Sequence, residues 1–313
     1  MPRLARARQP MRAAWHLLRD AVASWVDDYA PSMGAALAFY TLFSIAPLLL
    51  IVISVAGLVF GEQAARGEIM AQVSGLVGTD SARAIESVLE GLNRPAAGIT
   101  GTVVGVLVLL VGATTVFAEL RDAMDRIWRS PQPPSGGLTH LLRVRLLSLG
   151  LVLGIGFLLI VSLVVSAVLA ALGKWWAPWF GEVELLAQAL NIGVGFVLIS
   201  ALFAMIYKWM PRVKLAWRDV AIGAALTALL FTVGKTLIGL YIGRSGVASP
   251  FGAAGSLVVL LLWVYYSAQI FLLGAEFTWV YARRYGSLRD RPQAVPPTPQ
   301  GAPPVPHRPP HPG

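Results

Sequence analysis

A chain of 313 residues that is 56% hydrophobic and 13% charged, with a mean hydropathy of +0.68, has too little polar surface to enclose a single water-soluble core, so lipid must be part of its solvent. The absence of cysteine excludes disulfides, thiol nucleophiles and thiolate metal sites. The net charge of +9 is spread over segments between apolar runs, which ties it to membrane topology and anionic lipid and not to nucleic acid.

At the N-terminus, MPRLARARQP is basic, and MRAAWHLLRDAVASWV then alternates charge and apolarity with helical period and no uninterrupted apolar core. Residues 1–32 are therefore expected to form a cytoplasmic amphipathic helix with no cleaved signal peptide. Six apolar runs follow, near Met33–Phe60, Gly98–Ala118, Leu141–Leu172, Gln188–Met210, Trp217–Gly243 and Gly252–Ala282. Each exceeds or approaches the roughly 20 helical residues that cross about 30 Å of hydrocarbon. The expected fold is an all-α polytopic membrane protein, with six transmembrane helices over residues 33–285.

In the first run, AALAFYTLFSIAPLLL places Tyr40, Ser44 and Pro47 on one face. Pro47 removes a hydrogen bond to the carbonyl near residue 43 and kinks the helix. Two readings follow: an ordinary kinked helix in which Ser44 bonds back to the preceding turn, or a broken helix lining a transport path. Residues 61–97 carry Glu62, Glu68, Asp80, Glu86 and Glu90 among apolar residues at helical spacing, and are expected to form short amphipathic helices on the outer face. The second run continues into Glu119–Arg129, where Arg121/Asp125, Asp122/Arg126 and Asp125/Arg129 are i,i+4 pairs suited to a solvated stalk. Gly112, Thr115, Glu119, Asp122 and Arg126 also form one polar stripe, which offers a gate-like alternative.

Nineteen lysines and arginines flank the runs on one side and five on the other, Lys235 set aside, so both termini are expected on the cytoplasmic side. Lys235 and Glu276 alone interrupt the last two runs. Gly255, Leu262, Tyr266, Gln269, Leu273 and Glu276 share one face of the sixth, which is expected to point into the bundle because a lipid-exposed carboxylate is expensive. At about 1.5 Å per residue, Lys235 and Glu276 lie roughly 18 Å apart in depth and form two stations. Lys235 either snorkels or receives an anion that passes Arg244 at the outer mouth; Glu276 either pairs with an arginine such as Arg283 or works at the inner mouth. The four histidines, His16, His140, His307 and His311, lie outside every run, which excludes an intramembrane His relay. Residues 286–313 become proline-dominated and are expected to form a disordered cytoplasmic tail.

The stretches FYTLFSIAPLLL, FAELRDAMDRIW and GKTLIGLYIGRSGVASPFGAAGSLVVLLLWVYYSAQIFLLGAE, with the six-run layout, resemble the YihY/BrkB family of bacterial inner-membrane proteins over about residues 15–285. The resemblance implies a six-helix integral inner-membrane protein. Some relatives carry an old ribonuclease BN label, and others are linked to serum resistance or lipid export. This chain departs from the relatives' frequent Tyr-Gly-Ala by reading Pro250-Phe251-Gly252-Ala253, which removes a hydroxyl at the start of the sixth run.

Hydrolysis of a phosphodiester needs clustered metal ligands or an acid–base set in water, and the sequence has neither, nor a phosphate-cradling G-x-x-x-x-G-K-[ST]. The expectation is therefore a non-enzyme without metal or cofactor, in contact with membrane lipids, including anionic lipids at the cytoplasmic face, and not with nucleic acid. A homo-oligomer stays open. Intramembrane Lys and Glu, a proline-interrupted run and polar stripes favour a secondary transporter or translocator of an anionic lipid or small envelope metabolite; a non-transporting scaffold for envelope assembly is the alternative. Reporter fusions after Arg129, Lys214 and Asp290 are expected to give cytoplasmic signals, and fusions after Leu92, Pro178 and Gly246 outer ones; an outer signal after Asp290 would overturn the even number of spans.

Overall fold

The computed structural model describes residues 2–92, 115–131, 150, 154, 183–245, 251 and 254–289, and every regular element among them is helical. They are α1 (Pro2–Asp27), α2 (Ala30–Phe60), α3 (Glu62–Val77), α4 (Thr79–Leu92), α5 (residues 115–127), α6 (Val183–Trp209), α7 (Trp217–Ser245) and α8 (Gly255–Arg284). The chain belongs in a membrane by composition and helix length together. Ile192–Trp209, Trp217–Ile242 and Gly255–Arg284 are long and apolar enough to cross, and a fourth candidate is the bent pair Trp15–Asp27 and Ala30–Ala46. Six spans were expected. The third run, Leu141–Leu172, falls outside the described residues apart from 150 and 154, and the second falls outside them up to residue 114.

Pro47 lies inside α2, which runs from Ala30 to Phe60. A bend of 67° separates α1 from α2, at Tyr29, which adopts a left-handed φ of 58° and ψ of 36°. Pro31 then opens α2 in its first turn, where a missing N–H is harmless. α1 buries Leu17 and Ala21 but exposes Trp15, Leu18, Val22 and Val26. Those four recur on one face, so the outward side of α1 is suited to lipid and not to free cytoplasm.

The hub is α8, which packs against α7, α2 and α1 along its length and touches α3 and α4 near its start. Its crossing with α7 uses two reciprocal glycine–threonine contacts. A Cβ on Gly223 would collide with Thr278, and one on Gly274 would collide with Thr227 and with the Tyr207 hydroxyl. Each threonine hydroxyl bonds back to the glycine carbonyl four residues earlier, Thr227 to Gly223 at 2.8 Å and Thr278 to Gly274 at 2.7 Å. The hydroxyls are thereby satisfied within their own helices, and the threonine side chains fill the space that the facing glycines leave.

The two ends of this bundle differ in charge. At one end Arg284 pairs with Asp20 at 2.7 Å, Arg212 with Asp125 at 3.3 Å, and the backbone N–H of Ser287 donates to Asp219 at 2.8 Å. All four basic segments therefore meet there. At the other end Arg66 bridges Glu86 and Glu90, both at 3.3 Å, closing the α3–α4 hairpin. Ser81 donates to the Ser256 carbonyl at 3.4 Å, which seats that hairpin on the start of α8.

Two boundaries shift. Residues 286–289 are folded and not tail: Leu288 is buried and its N–H returns to the Ala282 carbonyl at 3.0 Å, and Gly286 lies against the Asp219 carboxylate with no room for a Cβ. The remainder of the expected tail lies outside the described residues. The supposed stalk is likewise packed, with Met124, Ile127 and Trp128 fully buried. Gly274→Ala is expected to lower stability by about 1–3 kcal/mol through overpacking, seen as a lower melting temperature in detergent. Gly239→Ala on the same crossing helix α7, where a Cβ meets nothing within 4 Å, is expected to be neutral or mildly stabilising.

Candidate functional site

The best-defined polar site grows from the α8 backbone between Phe271 and Glu276. Tyr207 on α6 donates its hydroxyl to the Phe271 carbonyl at 2.8 Å and lies 3.1 Å from the Thr227 hydroxyl. One turn on, Trp128 at the end of α5 donates its indole N–H to the Ala275 carbonyl at 3.1 Å. Tyr207 and Trp128 are both 0% exposed, and their rings lie 6.2 Å apart. Buried aromatic donors of this kind fix a neighbour in rotation as well as in distance, so α5 and α6 set the angle at which the next residue projects.

That residue is Glu276, also 0% exposed. Neither of its oxygens accepts a bond from an N–H or hydroxyl among the described residues. What faces it is a second carboxyl, Asp28, with Asp27 and Arg129 also close enough to act on it electrostatically. Two facing carboxylates repel unless a proton or a cation is shared between them. The backbone around them is unusual. Tyr29, beside Asp28, and Arg129 itself are the two non-glycine residues with positive φ among the described residues, at 58° and 48°. Each sits just past a helix end where glycine is the usual occupant, and each costs about 1–2 kcal/mol relative to a right-handed conformation.

The other expected site residues are distributed. Gln269 belongs with this corner: its Nε2 donates to the Pro31 carbonyl at 3.4 Å and it packs on Gly34 of α2. Tyr266 instead packs against Gly234 of α7, so the stripe on α8 is divided between two neighbours. Tyr40 is half-buried, Ser44 is buried, and the side chain of Pro47 lies outside the described residues. Lys235 and Arg244 are exposed. Of the two readings of Lys235, the exposed side chain fits snorkelling, since that side of α7 is turned outward and the four-carbon stem is free to reach an interface. Arg283, the cation expected beside Glu276, lies over the Trp279 ring at 5.6 Å, and Arg129 takes its place.

On α5, Arg121 and Asp125 form the expected i,i+4 pair at 3.9 Å, but Asp125 also accepts the Arg212 backbone N–H at 3.0 Å and so ties α5 to the α6–α7 link. Glu119 and Asp122 lie beyond the expected second span. Burial holds the Glu119 carboxyl above its ordinary value of 4.5, reinforced by Asp122. Burial and then Asp125 raise Asp122 above 3.8, against the lowering pull of Arg212 and Arg121.

A family model described as virulence factor BrkB matches residues 21–298. The chain belongs to that family. The match takes in the Asp28 corner, Arg129 and all of α8, so the whole Glu276 site lies inside the BrkB region. This BrkB-family chain is 30% identical to a UPF0761 membrane protein of Pseudomonas aeruginosa over 253 residues, 80% of its own length and 59% of that protein's. It is 30% identical to a UPF0761 membrane protein of Tolumonas auensis over 272 residues, covering 85% and 82% of the two chains, and 30% identical to one of Ralstonia nicotianae over 80% and 55%. The chain thus spans about three fifths of the Pseudomonas relative. No solved structure matches it.

Asp28 and Arg129 escaped the sequence reading for an identifiable reason. Hydropathy marks charges inside apolar runs, and both residues lie at helix ends, where charge is ordinary. The signal that does mark them is punctuation: Asp27-Asp28-Tyr29-Ala30-Pro31 stops one helix and starts the next, and Arg129-Ser130-Pro131 stops another.

The raised carboxyls on α5 set a pH dependence. Their folded state holds protons more tightly than the unfolded chain, so stability is highest at low pH and declines as pH climbs from 3.8 and 4.5 towards the raised values. Asp122→Asn is expected to flatten that decline in melting temperature against pH, measured in detergent, and an unchanged slope would remove Asp122 as its source.

Proposed function

We propose that this BrkB-family membrane protein is a secondary translocator of the bacterial inner membrane, moving an anionic lipid or a small envelope metabolite, with Glu276 as the residue whose partner changes between states. Both termini lie in the cytoplasm under this reading, since the four basic segments share one end of the bundle. The observation that carries it is the fully buried Glu276 facing Asp28 with no N–H or hydroxyl donor.

A carboxyl on a membrane-spanning helix is costly without a partner, and intramembrane acids mark ion and substrate paths. Here the potential partners sit on backbone corners at Tyr29 and Arg129 that would relax if the helix ends moved. Rotation of the α1–α2 corner relative to α8 would exchange Asp28 for Arg129 at Glu276, which gives a two-state element with opposite electrostatics in its two states. The ion pairs Asp20–Arg284 and Asp125–Arg212, which tie α1 to α8 and α5 to the α6–α7 link, favour the second reading, a scaffold for envelope assembly.

The discriminating measurement is lipid movement in proteoliposomes. Wild-type protein is expected to speed the exposure of a fluorescent phosphatidylglycerol to an external quencher above the protein-free rate. Glu276→Gln is expected to slow it about tenfold or more at equal protein content, the loss of about 1.4 kcal/mol in the rate-limiting step. Wild-type vesicles that match protein-free ones, together with a deletion strain fully rescued by Glu276→Gln, would favour the scaffold.

A further inference from the structure

Next to this site, and sharing Arg129 with it, a cleft of about 400 Å³ opens between α1 and the basic end of α8. Asp20 and Ser24 line it from α1, Arg129 from beyond α5, and Trp279, Arg283 and Arg284 from α8. Three guanidiniums thus face one carboxylate. Asp20 is taken by Arg284 at 2.7 Å, and Arg283 rests on the Trp279 ring. Among the described residues the ion pairs of this end belong to Arg284, Arg212 and Arg121, so Arg129 and Arg283 bring surplus positive charge to the cleft.

We propose that this cleft binds the phosphate of an anionic lipid headgroup. Guanidinium forks match phosphate oxygens in planar, paired hydrogen bonds, which an isolated ammonium does not. The volume is within the ordinary range for a small-ligand site. Position selects a lipid over a free ion. The cleft lies at the last turns of α8, where a crossing helix leaves hydrocarbon for headgroups and where Trp and Arg concentrate. Across it stands α1, whose outward face of Trp15, Leu18, Val22 and Val26 is exposed and apolar, which sets α1 against the bilayer surface. Ser24 adds a hydroxyl donor on the cleft side of α1.

Arg129 belongs to both places, since it lines the cleft and acts on the Glu276 carboxyl. A phosphate in the cleft draws that guanidinium towards itself and away from Glu276. This coupling rests on the translocator reading; headgroup binding does not.

The test is binding by the full chain in mild detergent. Native mass spectrometry is expected to retain phosphatidylglycerol over phosphatidylcholine, and phosphatidylglycerol is expected to raise the melting temperature while inorganic phosphate at the same concentration does not. Arg283→Gln should weaken phosphatidylglycerol binding about tenfold, the worth of one charge-assisted hydrogen bond, with the melting temperature in phosphatidylcholine unchanged. Asp20→Asn, which removes the one acid among the described residues that line the cleft, should instead tighten binding, a gain that a merely structural role would not give. Equal retention of the two lipids overturns the site, as does Arg283→Gln binding like wild type or Asp20→Asn weakening the lipid. Equal stabilisation by inorganic phosphate overturns the lipid assignment. Loss of flux in Glu276→Gln with lipid binding intact separates the failure of one proposal from that of the other.

Discussion

The reciprocal glycine–threonine crossing of α7 and α8 is the contact on which the basic end of the bundle depends. In lipid, helices gain little from apolar burial alone, since the surrounding chains are as apolar as the side chains, and close approach with satisfied polar groups must supply the association. Gly223 and Gly274 provide the approach, and Thr227 and Thr278 arrive with their hydroxyls already bonded. Because α7 lies that close, Tyr207 reaches past Thr227 to the Phe271 carbonyl, and Trp128 finds the Ala275 carbonyl one turn later. A modest net stabilisation from each bond, about 0.5–1.5 kcal/mol, matters less than the rotational angle they impose on Glu276.

The charge layout and the packing tell one story by independent routes. Counting basic residues groups four segments far apart in sequence; the contacts Asp20–Arg284, Asp125–Arg212 and Asp219–Ser287 bring the same four together at one end. The acidic segment before the second run folds into the α3–α4 hairpin at the opposite end. The polarity of the bundle is thus built into ion pairs as well as into topology.

The last three spans, the hairpin and the burial of Glu276 were legible in the sequence because each follows from hydropathy or from a lone charge in an apolar run. The partners of Glu276 were not, because Asp28 and Arg129 owe their role to left-handed corners that bring helix ends inward, and local patterns carry no record of which corner meets which helix. Lys235 shows what a lone charge leaves open: its face of α7 is exposed, which fits the snorkelling reading over the inward one, and the rotation of a helix that decides between them is set by its neighbours. The corner at Tyr29 was not legible for a related reason: the residue that turns the chain is neither glycine nor proline.

Asp20 and Arg284 are 264 residues apart in sequence, and Asp28 and Glu276 nearly as far. α1 therefore waits for α8 before its polar face has a partner. During synthesis α1 and the Asp28 corner must be held by the membrane surface, with the apolar stripe of α1 as the holdfast, until insertion of α8 joins the separately inserted helices into one body. A chain stopped before α8 would keep its hydrophobic helices and the α3–α4 hairpin but lack the hub and the Asp20–Arg284 clasp, and it would meet the cell's quality-control proteases as an open bundle.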